Sequence, residues 1–446
     1  MRAEGLPAMV IDAFARYYRQ VVDGETGIIE DSAIRPMKEG EVVFAEDLER
    51  HAEAGRRVRE RAVRITLNGG LGTSMGLTGP KSLLVVKEGR TFLDVILAQS
   101  RADGVRQAFM NSFSTDAATR EAIGNDAGDR APLLFVQNRF PKILQSDGSP
   151  ARWPRNPAKE WNPPGHGDIY AAIYAGGTLE RLLSEGIRYA FIHNSDNLGA
   201  TLDESLLGFF AESGLPFMME AARRNPVDFK GGHLAVRLRD GRLVLRESAQ
   251  CPRTTTGTDV SLYRYFNTNN LWVDLRKLRQ MIEAAEGVRL PLIVNPKTLD
   301  PRDPDSPPVY QLETAMGAAI ELFEGAKVVV VPRSRFLPVK KCNDLLVVRS
   351  DRYRFDDRHR LETVPGAGEA PPRISLDPAF YGRIDDFDAR FEDGVPSLRQ
   401  CRSLAVEGDV RFGPEVRIVG DVRLRNRSGS QQKIGAGSVL DRDRAW

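Results

Sequence analysis

The chain has 446 residues, 41% of them hydrophobic, and its 63 basic and 61 acidic side chains leave a formal charge of +2. That length exceeds one usual domain and that apolar share suffices for a sizeable core, while the near balance of charge gives no reason to expect nucleic-acid binding. Three distant cysteines (Cys251, Cys342, Cys401), no run of 18 apolar residues and no basic-then-apolar leader argue against a disulfide framework, a Cys-based zinc site and a membrane span, so a cytoplasmic protein without membrane contact is expected.

Residues 1–60 read as helical and charged, with Met9, Ile11, Phe14 and Tyr17 at helical spacing. From about 61 to 350, short apolar strands alternate with helical segments. The strands are expected at Arg64–Leu67, Gln107–Met110, Leu133–Val136, Tyr189–His193 and Lys327–Val331, with helices such as Phe92–Arg101 and Ile169–Glu185 between them. This alternation predicts an α/β domain with a mostly parallel or mixed sheet covered by helices, in which ligands sit at the carboxyl ends of strands. Residues 351–375, rich in Asp, Arg, Pro and Gly, read as a linker. Beyond it, Val406, Phe412, Ile418 and Leu424 recur every six residues, as do Val410, Val416 and Val422, with glycines at 408, 413 and 420 between them. Period six with glycine turns predicts a β-helix over 376–446, with an antiparallel meander as the alternative. An open β-helix end leaves unpaired strand edges, so a homo-oligomer through this segment is a reasonable expectation.

The most informative segment follows the first predicted strand of the α/β region, from Asn68 to Ser82. It contains Gly69, Gly70, Gly72, Gly76 and Gly79, and no acidic residue occurs between Glu60 and Glu88. Glycines let backbone N–H groups approach phosphate oxygens, which a nearby carboxylate would repel, and Lys81 adds a positive charge. The loop is not a P-loop, because Pro80 separates Gly79 from Lys81, nor a dinucleotide fingerprint, because Met75 stands at the third glycine position.

Other segments are informative but open. Lys340 lies just past an apolar strand, where it would serve phosphoryl chemistry or simply be solvated. Asp196, between Ser195 and Asn197 at a strand end, suits Mg²⁺, which takes one or two protein carboxylates, but equally suits an Asx turn or helix cap. Asp168 is a plausible N-cap for a helix starting at Ile169. His166, between Gly165 and Gly167, is placed to contact a ligand, and those two glycines would allow the backbone close to a flat ring. Gln137 carries an amide that matches the donors and acceptors of uracil, though it is also an ordinary loop residue. Asn267, Asn269 and Asn270 could bind sugar hydroxyls or serve as turn residues. His51, His193, His233 and His359 lack the spacing of a metal site, and no Ser-His-Asp set is recognisable.

Together these segments resemble the eukaryotic-type UTP–glucose-1-phosphate uridylyltransferases, or UDP-glucose pyrophosphorylases. The resemblance runs in order from Gly24-Glu25-Thr26-Gly27 through the glycine loop, Met110-Asn111-Ser112-Phe113 and Pro163-Pro164-Gly165-His166-Gly167-Asp168. It continues through Asn197-Leu198-Gly199-Ala200-Thr201, Lys230-Gly231-Gly232, Phe266–Trp272 and Asn295-Pro296-Lys297-Thr298 to Gln311-Leu312-Glu313-Thr314 and Arg333–Lys340. It implies a nucleotidyltransferase type A-like core with a C-terminal left-handed β-helix, making UDP-glucose and pyrophosphate from UTP and glucose 1-phosphate. Residue by residue, it implies catalytic roles for Lys340 and Lys81 and nucleotide contacts from Leu67, Asn68, Gly69, Gly70, Lys81, Gln137, Gly165 and Asp196. It also implies Mg²⁺ on Asp196 and sugar-phosphate contacts from His166, Asn194, Gly232 and Asn270. The chain departs from the family at Ser195, usually apolar, and at Cys342-Asn343, where Thr-Ser is usual. The second departure bears on hydrogen bonds around the lysine rather than on Lys340 itself. Relatives acting on other UDP-sugars or on UDP-N-acetylhexosamine, and a non-catalytic nucleotide-sugar sensor or scaffold, are the competing expectations. A hexapeptide acyltransferase is disfavoured, because about four repeat units are too few for its active site and leave the glycine loop unexplained.

Overall fold

The computed structural model describes residues 1–124, 131–224, 232–252, 262–301, 303–368 and 370–446, so Lys230 and Gly231 of the motif above lie outside the described residues. Its centre is an 11-stranded mixed sheet. Ala62–Asn68, whose seven residues are all buried, lies between Tyr189–Asn194 and Arg106–Asn111 and runs parallel to both. Leu133–Val136 extends this parallel block beyond Arg106–Asn111. The central strand is buried on both faces although it alternates: Val63, Ile65 and Leu67 pack in the core, while Arg64 on the other face donates to His193, Gln99 and the Ala200 carbonyl. On the other side, Tyr265–Asp274 pairs antiparallel with both Tyr189–Asn194 and Phe217–Arg223, and Phe217–Arg223 pairs parallel with Lys327–Val330. The helices Phe92–Asp103, Ile169–Ala175, Glu204–Glu212 and Leu275–Ala284 bury Phe92, Ile96, Ile169, Ile173, Leu207 and Leu278 against the sheet layers. No helix among the described residues is long and apolar enough to cross a membrane.

Three local expectations differ from what the structure shows. The N-terminal segment does form the helix Ala8–Val22, whose Tyr17 hydroxyl donates to the Leu290 carbonyl at 3.0 Å. It also supplies two short strands to the sheet, Ile34–Pro36 on His233–Arg237 and Val43–Phe44 on Lys327–Val330. Two or three residues carry no readable periodicity; pairing with strands of the sheet fixes them instead. The helix expected from Ile169 to Glu185 breaks at Gly176-Gly177 into Ile169–Ala175 and Thr178–Ser184, as adjacent glycines favour. Residues 351–375, read as a linker, hold a hairpin of Tyr353–Phe355 with Leu361–Thr363 and the strand Arg373–Leu376. Polar contacts anchor the hairpin to the core: Arg360 donates to Asp103 at 2.8 Å, and Gln99 donates to the His359 carbonyl at 2.9 Å.

The C-terminal strands pair in parallel. Arg373–Leu376, Ser397–Glu407, Arg417–Arg425 and Val439–Leu440 are successive neighbours, and Val410–Phe412 pairs with Gln432–Ile434. Leu404 faces Val422 and Val406 faces Leu424, so strand neighbours lie three six-residue units apart. Parallel pairing excludes the antiparallel meander. These strands do not form an isolated core: Leu376, Tyr381, Ile384 and Phe387 share one buried cluster with Met75, Leu84, Leu345 and Leu346 of the α/β region.

Candidate active site

The parallel strands Ala62–Asn68, Arg106–Asn111, Leu133–Val136 and Tyr189–Asn194 end on the same edge of the sheet, so the loops that leave them converge. A cavity of about 330 Å³ opens there. The glycine loop forms one wall with Leu67, Gly69, Gly70 and Lys81; Gln137 and Met110 lie beside it, and Asn194, Ser195 and Asp196 form the floor. Pro163, Gly165, His166, Glu313 and Lys340 close the remaining side. A roomier groove of about 760 Å³ elsewhere is lined by Glu46, Glu49 and Asp203 as well as arginines, an acidic setting less suited to phosphates.

Charge in the cavity centres on Asp196. Its Oδ2 accepts from Lys81 Nζ at 2.9 Å and Lys340 Nζ at 2.7 Å. Burial pushes this carboxyl's pKa up, but Lys340 and Lys81 together outweigh burial and hold it below the ordinary carboxylate range. Its other oxygen, Oδ1, is buried and has no hydrogen-bond partner among the described residues. The two lysines differ: the Lys81 side chain is 11% exposed and that of Lys340 57%.

Each lysine is held through its backbone. Lys81 N–H donates to the Gly70 carbonyl at 3.0 Å, which closes the glycine loop at its base. The Lys340 segment is stitched to the Asp196 segment: Val339 N–H donates to the Asp196 carbonyl at 3.0 Å, and Leu337 N–H to Asn197 Oδ1 at 2.8 Å. Beneath it, the fully buried Glu220 carboxylate accepts two bonds from Arg335, at 2.7 and 2.8 Å, and one each from Asn270 and Trp272. Asp344 accepts from the N–H groups of both Lys340 and Lys341, capping the helix Cys342–Arg349. The departures at Cys342 and Asn343 point away from the cavity, donating to the carbonyls of Gly382 and Ile374 in the C-terminal segment.

Within the glycine loop, an ideal Cβ placed on Gly69 would lie 2.9 Å from Gln137 Nε2, so the missing side chain is what lets the amide reach the loop. Gly165 has φ +78°, and a Cβ there would sit 2.4 Å from the Thr314 carbonyl oxygen. The close approach is therefore to Thr314, through its backbone at Gly165 and its Oγ1 at Gly167 (2.4 Å from an ideal Cβ), and the Thr314 carbonyl also accepts from Gly167 N–H at 2.9 Å. Between them, His166 Nδ1 accepts from Met316 N–H at 3.0 Å, so the neutral ring carries its proton on Nε2. Burial, helped by Lys340, lowers the His166 pKa to about 4, which keeps the ring neutral at physiological pH. Asp168 is not a side-chain cap, contrary to expectation. Its carboxylate accepts from Asn138 N–H at 2.5 Å and from Asn138 Nδ2 at 2.9 Å, fixing the turn after Gln137.

The cavity thus gathers Leu67, Gly69, Gly70, Lys81, Gln137, Gly165, His166, Asn194, Asp196 and Lys340. Three candidate residues are not on its wall. Asn68 turns its side chain to Asn111 and Thr119, at 2.8 and 2.9 Å. Gly232 faces the Glu247 carboxylate, 2.8 Å from where its Cβ would be. Asn270 commits its amide to Glu220 at 3.0 Å and to the Arg335 carbonyl at 3.3 Å. Glu313 and Met110, which do line it, fall inside motifs the sequence displays, yet nothing in their residue types marks them out. Among the described residues no cluster of three His, Cys, Asp or Glu side chains could hold a metal by itself.

Comparison with known proteins agrees with this architecture. A profile of the UTP–glucose-1-phosphate uridylyltransferase family matches residues 11–419. The chain is 36% identical over 441 residues to the UTP–glucose-1-phosphate uridylyltransferase of Musa acuminata, covering 96% of this chain and 92% of that one. It is 36% identical over 443 residues to the Saccharomyces cerevisiae enzyme, covering 97% and 87%. Among solved structures, a variant of the Leishmania major UDP-glucose pyrophosphorylase in complex with UDP-glucose superposes with a TM-score of 0.92 at 41% identity, covering 100% of this chain and 97% of that one. A Trypanosoma brucei counterpart gives 0.90 at 43%, covering 100% and 98%. The chain belongs to the UTP–glucose-1-phosphate uridylyltransferase family.

Proposed function

We propose that the cavity catalyses the family's reaction as follows: UTP and glucose 1-phosphate give UDP-glucose and pyrophosphate. A phosphate oxygen of the sugar attacks the α-phosphorus of UTP in line, a new P–O bond forms, and the bond to pyrophosphate breaks. The attacking oxygen is already ionised at neutral pH, so no general base is required. The observation that carries this reading is the convergence of Lys81 and Lys340 on Asp196 at the mouth of an acid-free glycine loop.

Catalysis of this kind is mainly positioning and electrostatics. The backbone N–H groups of Gly69 and Gly70 face the nucleotide phosphates, and Gln137, with Gly165 opposite, reads the edge of uracil. Lys81 and Lys340 offset charge at the reacting phosphorus. Neutral His166 offers its Nε2–H to the sugar phosphate, beside Asn194. Asn270 and Gly232 act indirectly, Asn270 by holding Arg335 and so the Lys340 segment. The unpartnered Asp196 Oδ1 fits a Mg²⁺ ion that takes one protein carboxylate and completes its shell with phosphate oxygens and water. When bound, that ion would supply positive charge to the phosphates.

Beyond the site, the period-six parallel coils support a left-handed β-helix over the C-terminal segment and a homo-oligomer through its open end. The three free cysteines fit a reducing, cytoplasmic setting.

The test is pyrophosphate release from UTP, glucose 1-phosphate and Mg²⁺ by the parent and by Lys340→Ala. Robust release that collapses in the folded variant is the expected result, and unchanged release would remove Lys340 from the chemistry. Galactose 1-phosphate and N-acetylglucosamine 1-phosphate in the same assay distinguish glucose from the sugars of related enzymes.

A further inference from the structure

The cavity's own charges do not match its proposed ligands. Lys81 and Lys340 are opposed by Asp196 and Glu313 on the same walls. A nucleoside triphosphate and a sugar phosphate together bring roughly six negative charges, of which the sugar phosphate carries about two. Even with the Mg²⁺ proposed above, that charge is only partly offset, which leaves a place for a further cation beyond the cavity wall, above all at the end of the triphosphate that leaves as pyrophosphate.

The glycine loop points to where one lies. Gly70 and Lys81, at its base, line the cavity, while its tip is a single turn, Thr73–Met75, followed by Gly76. Ser74 at that tip donates to the Lys340 carbonyl at 3.4 Å, so the tip stands beside the Lys340 segment. Met75 is fully buried in the cluster shared with Tyr381, Ile384 and Phe387 of the C-terminal segment. Across Gly76 lies Arg383: an ideal Cβ on Gly76 would be 3.3 Å from Cβ, Cγ and Nε of Arg383. Gly76 has φ +76°, and the bare backbone there lets the arginine lie flat against the loop. Arg383 is exposed, and among the described residues its guanidinium has no carboxylate or hydrogen-bond partner. An arginine without an ion pair, laid against an acid-free glycine loop, presents a planar fork suited to phosphate oxygens.

We propose that Arg383, supplied by the C-terminal segment across the glycine loop, binds the β- and γ-phosphates of UTP and hence the departing pyrophosphate. The C-terminal segment then completes the leaving-group end of the active site rather than merely supporting the core. This rests on the reaction proposed above.

UDP-glucose separates the two roles the arginine could have, because it retains the nucleotide and sugar contacts but lacks the pyrophosphate portion. Full-length Arg383→Gln and Arg383→Lys would be compared with the parent for KM of pyrophosphate in the reverse direction, KM of UTP in the forward direction, and Kd of UDP-glucose by calorimetry. In Arg383→Gln, both KM values should rise about tenfold or more, as expected for loss of a charge-assisted hydrogen bond. The UDP-glucose Kd should stay within about twofold of the parent, and Arg383→Lys should recover part of the loss. An unchanged KM for pyrophosphate would overturn the proposal. So would an equal weakening of UDP-glucose that lysine does not relieve, because that marks a structural prop for the loop. If the parent turned over in neither direction, the reaction itself would fail, and direct pyrophosphate binding to parent and Arg383→Gln would still decide the role of Arg383.

Discussion

Lys81 and Lys340 share one carboxylate oxygen, yet their surroundings assign them different costs. Lys81 is nearly buried, and its backbone closes the glycine loop, whereas the Lys340 side chain is more than half exposed. Lys340→Ala should therefore lower kcat by about 10²–10³ while changing stability by about 1 kcal/mol or less, because Asp196 keeps Lys81 as its partner. Lys81→Met should lower both kcat and the midpoint of thermal unfolding, since it weakens a pair held inside the protein. Parallel kinetics and calorimetry on the two variants check this, and equal thermal shifts would refute the distinction. Asp168 supplies a pH-dependent prediction. Burial, opposed by its bonds from Asn138, raises its pKa from the ordinary carboxylate range to about 7. Between about pH 4 and 7 the unfolded chain ionises this group while the folded chain retains the proton, so stability is lost as pH rises through that window. Asp168→Asn removes the titration and keeps an oxygen acceptor for Asn138. From pH 5 to pH 8, urea midpoints should fall less for the variant than for the parent.

At the scale of elements, two glycines in the same cavity should respond differently to alanine. At Gly69 the new methyl is crowded by Gln137 Nε2, the end of a flexible side chain, at 2.9 Å, while Ser112 Cβ at 3.6 Å is in ordinary contact. The amide can swing aside at small cost to the fold, so Gly69→Ala should remain stable and show a raised KM for UTP. At Gly165 the methyl meets the Thr314 carbonyl oxygen at 2.4 Å, on backbone that already has φ +78°. Neither can yield without moving the Pro308–Glu313 strand end, so Gly165→Ala should destabilise the protein by several kcal/mol. Chemical denaturation separates the cases. The same contrast shows what the sequence made legible. The glycine loop could be read because backbone approach to phosphate leaves a compositional trace: many glycines and no acids. Lys81, Asp196 and Lys340 could be read because charges at strand ends are few. Asn270 and Asn68 could not be resolved, because an asparagine amide looks the same whether it faces a sugar or, as here, Glu220 or Asn111. Asp168 reads as a cap from its position, but its partner Asn138 is distant in sequence and is brought to it only by the fold. The hairpin of 353–363 is held by ion pairs, carbonyl contacts and the packing of Phe355 and Leu361 on the core, too few apolar positions to set a hydrophobic period.

For the whole molecule, the period-six repeat made the C-terminal segment look like an appended unit behind a linker, and its strands do follow that period. Its core does not stand apart. The helix Cys342–Arg349, which follows Lys340, has Leu345 and Leu346 fully buried in the cluster that Tyr381, Ile384 and Phe387 complete. Arg349 pairs with Asp388 at 2.5 Å and donates to the Val85 carbonyl at 2.8 Å, tying the segment to the strand that follows the glycine loop. Removing residues 376–446 would strip one side from this cluster and leave Met75, Leu345 and Leu346 facing water, an apolar surface that drives association. The buried Met75 anchors the tip of the glycine loop, and the helix after Lys340 positions that lysine, so the loss would reach both lysines without touching either. A chain ending at 375 should therefore be aggregation-prone, bind UTP poorly and release no pyrophosphate, whereas a detachable module would leave a monomeric, active core. Size-exclusion chromatography and turnover of the truncated protein distinguish the two. A soluble, active truncation would mean that the shared cluster is dispensable and that the α/β region organises its site alone.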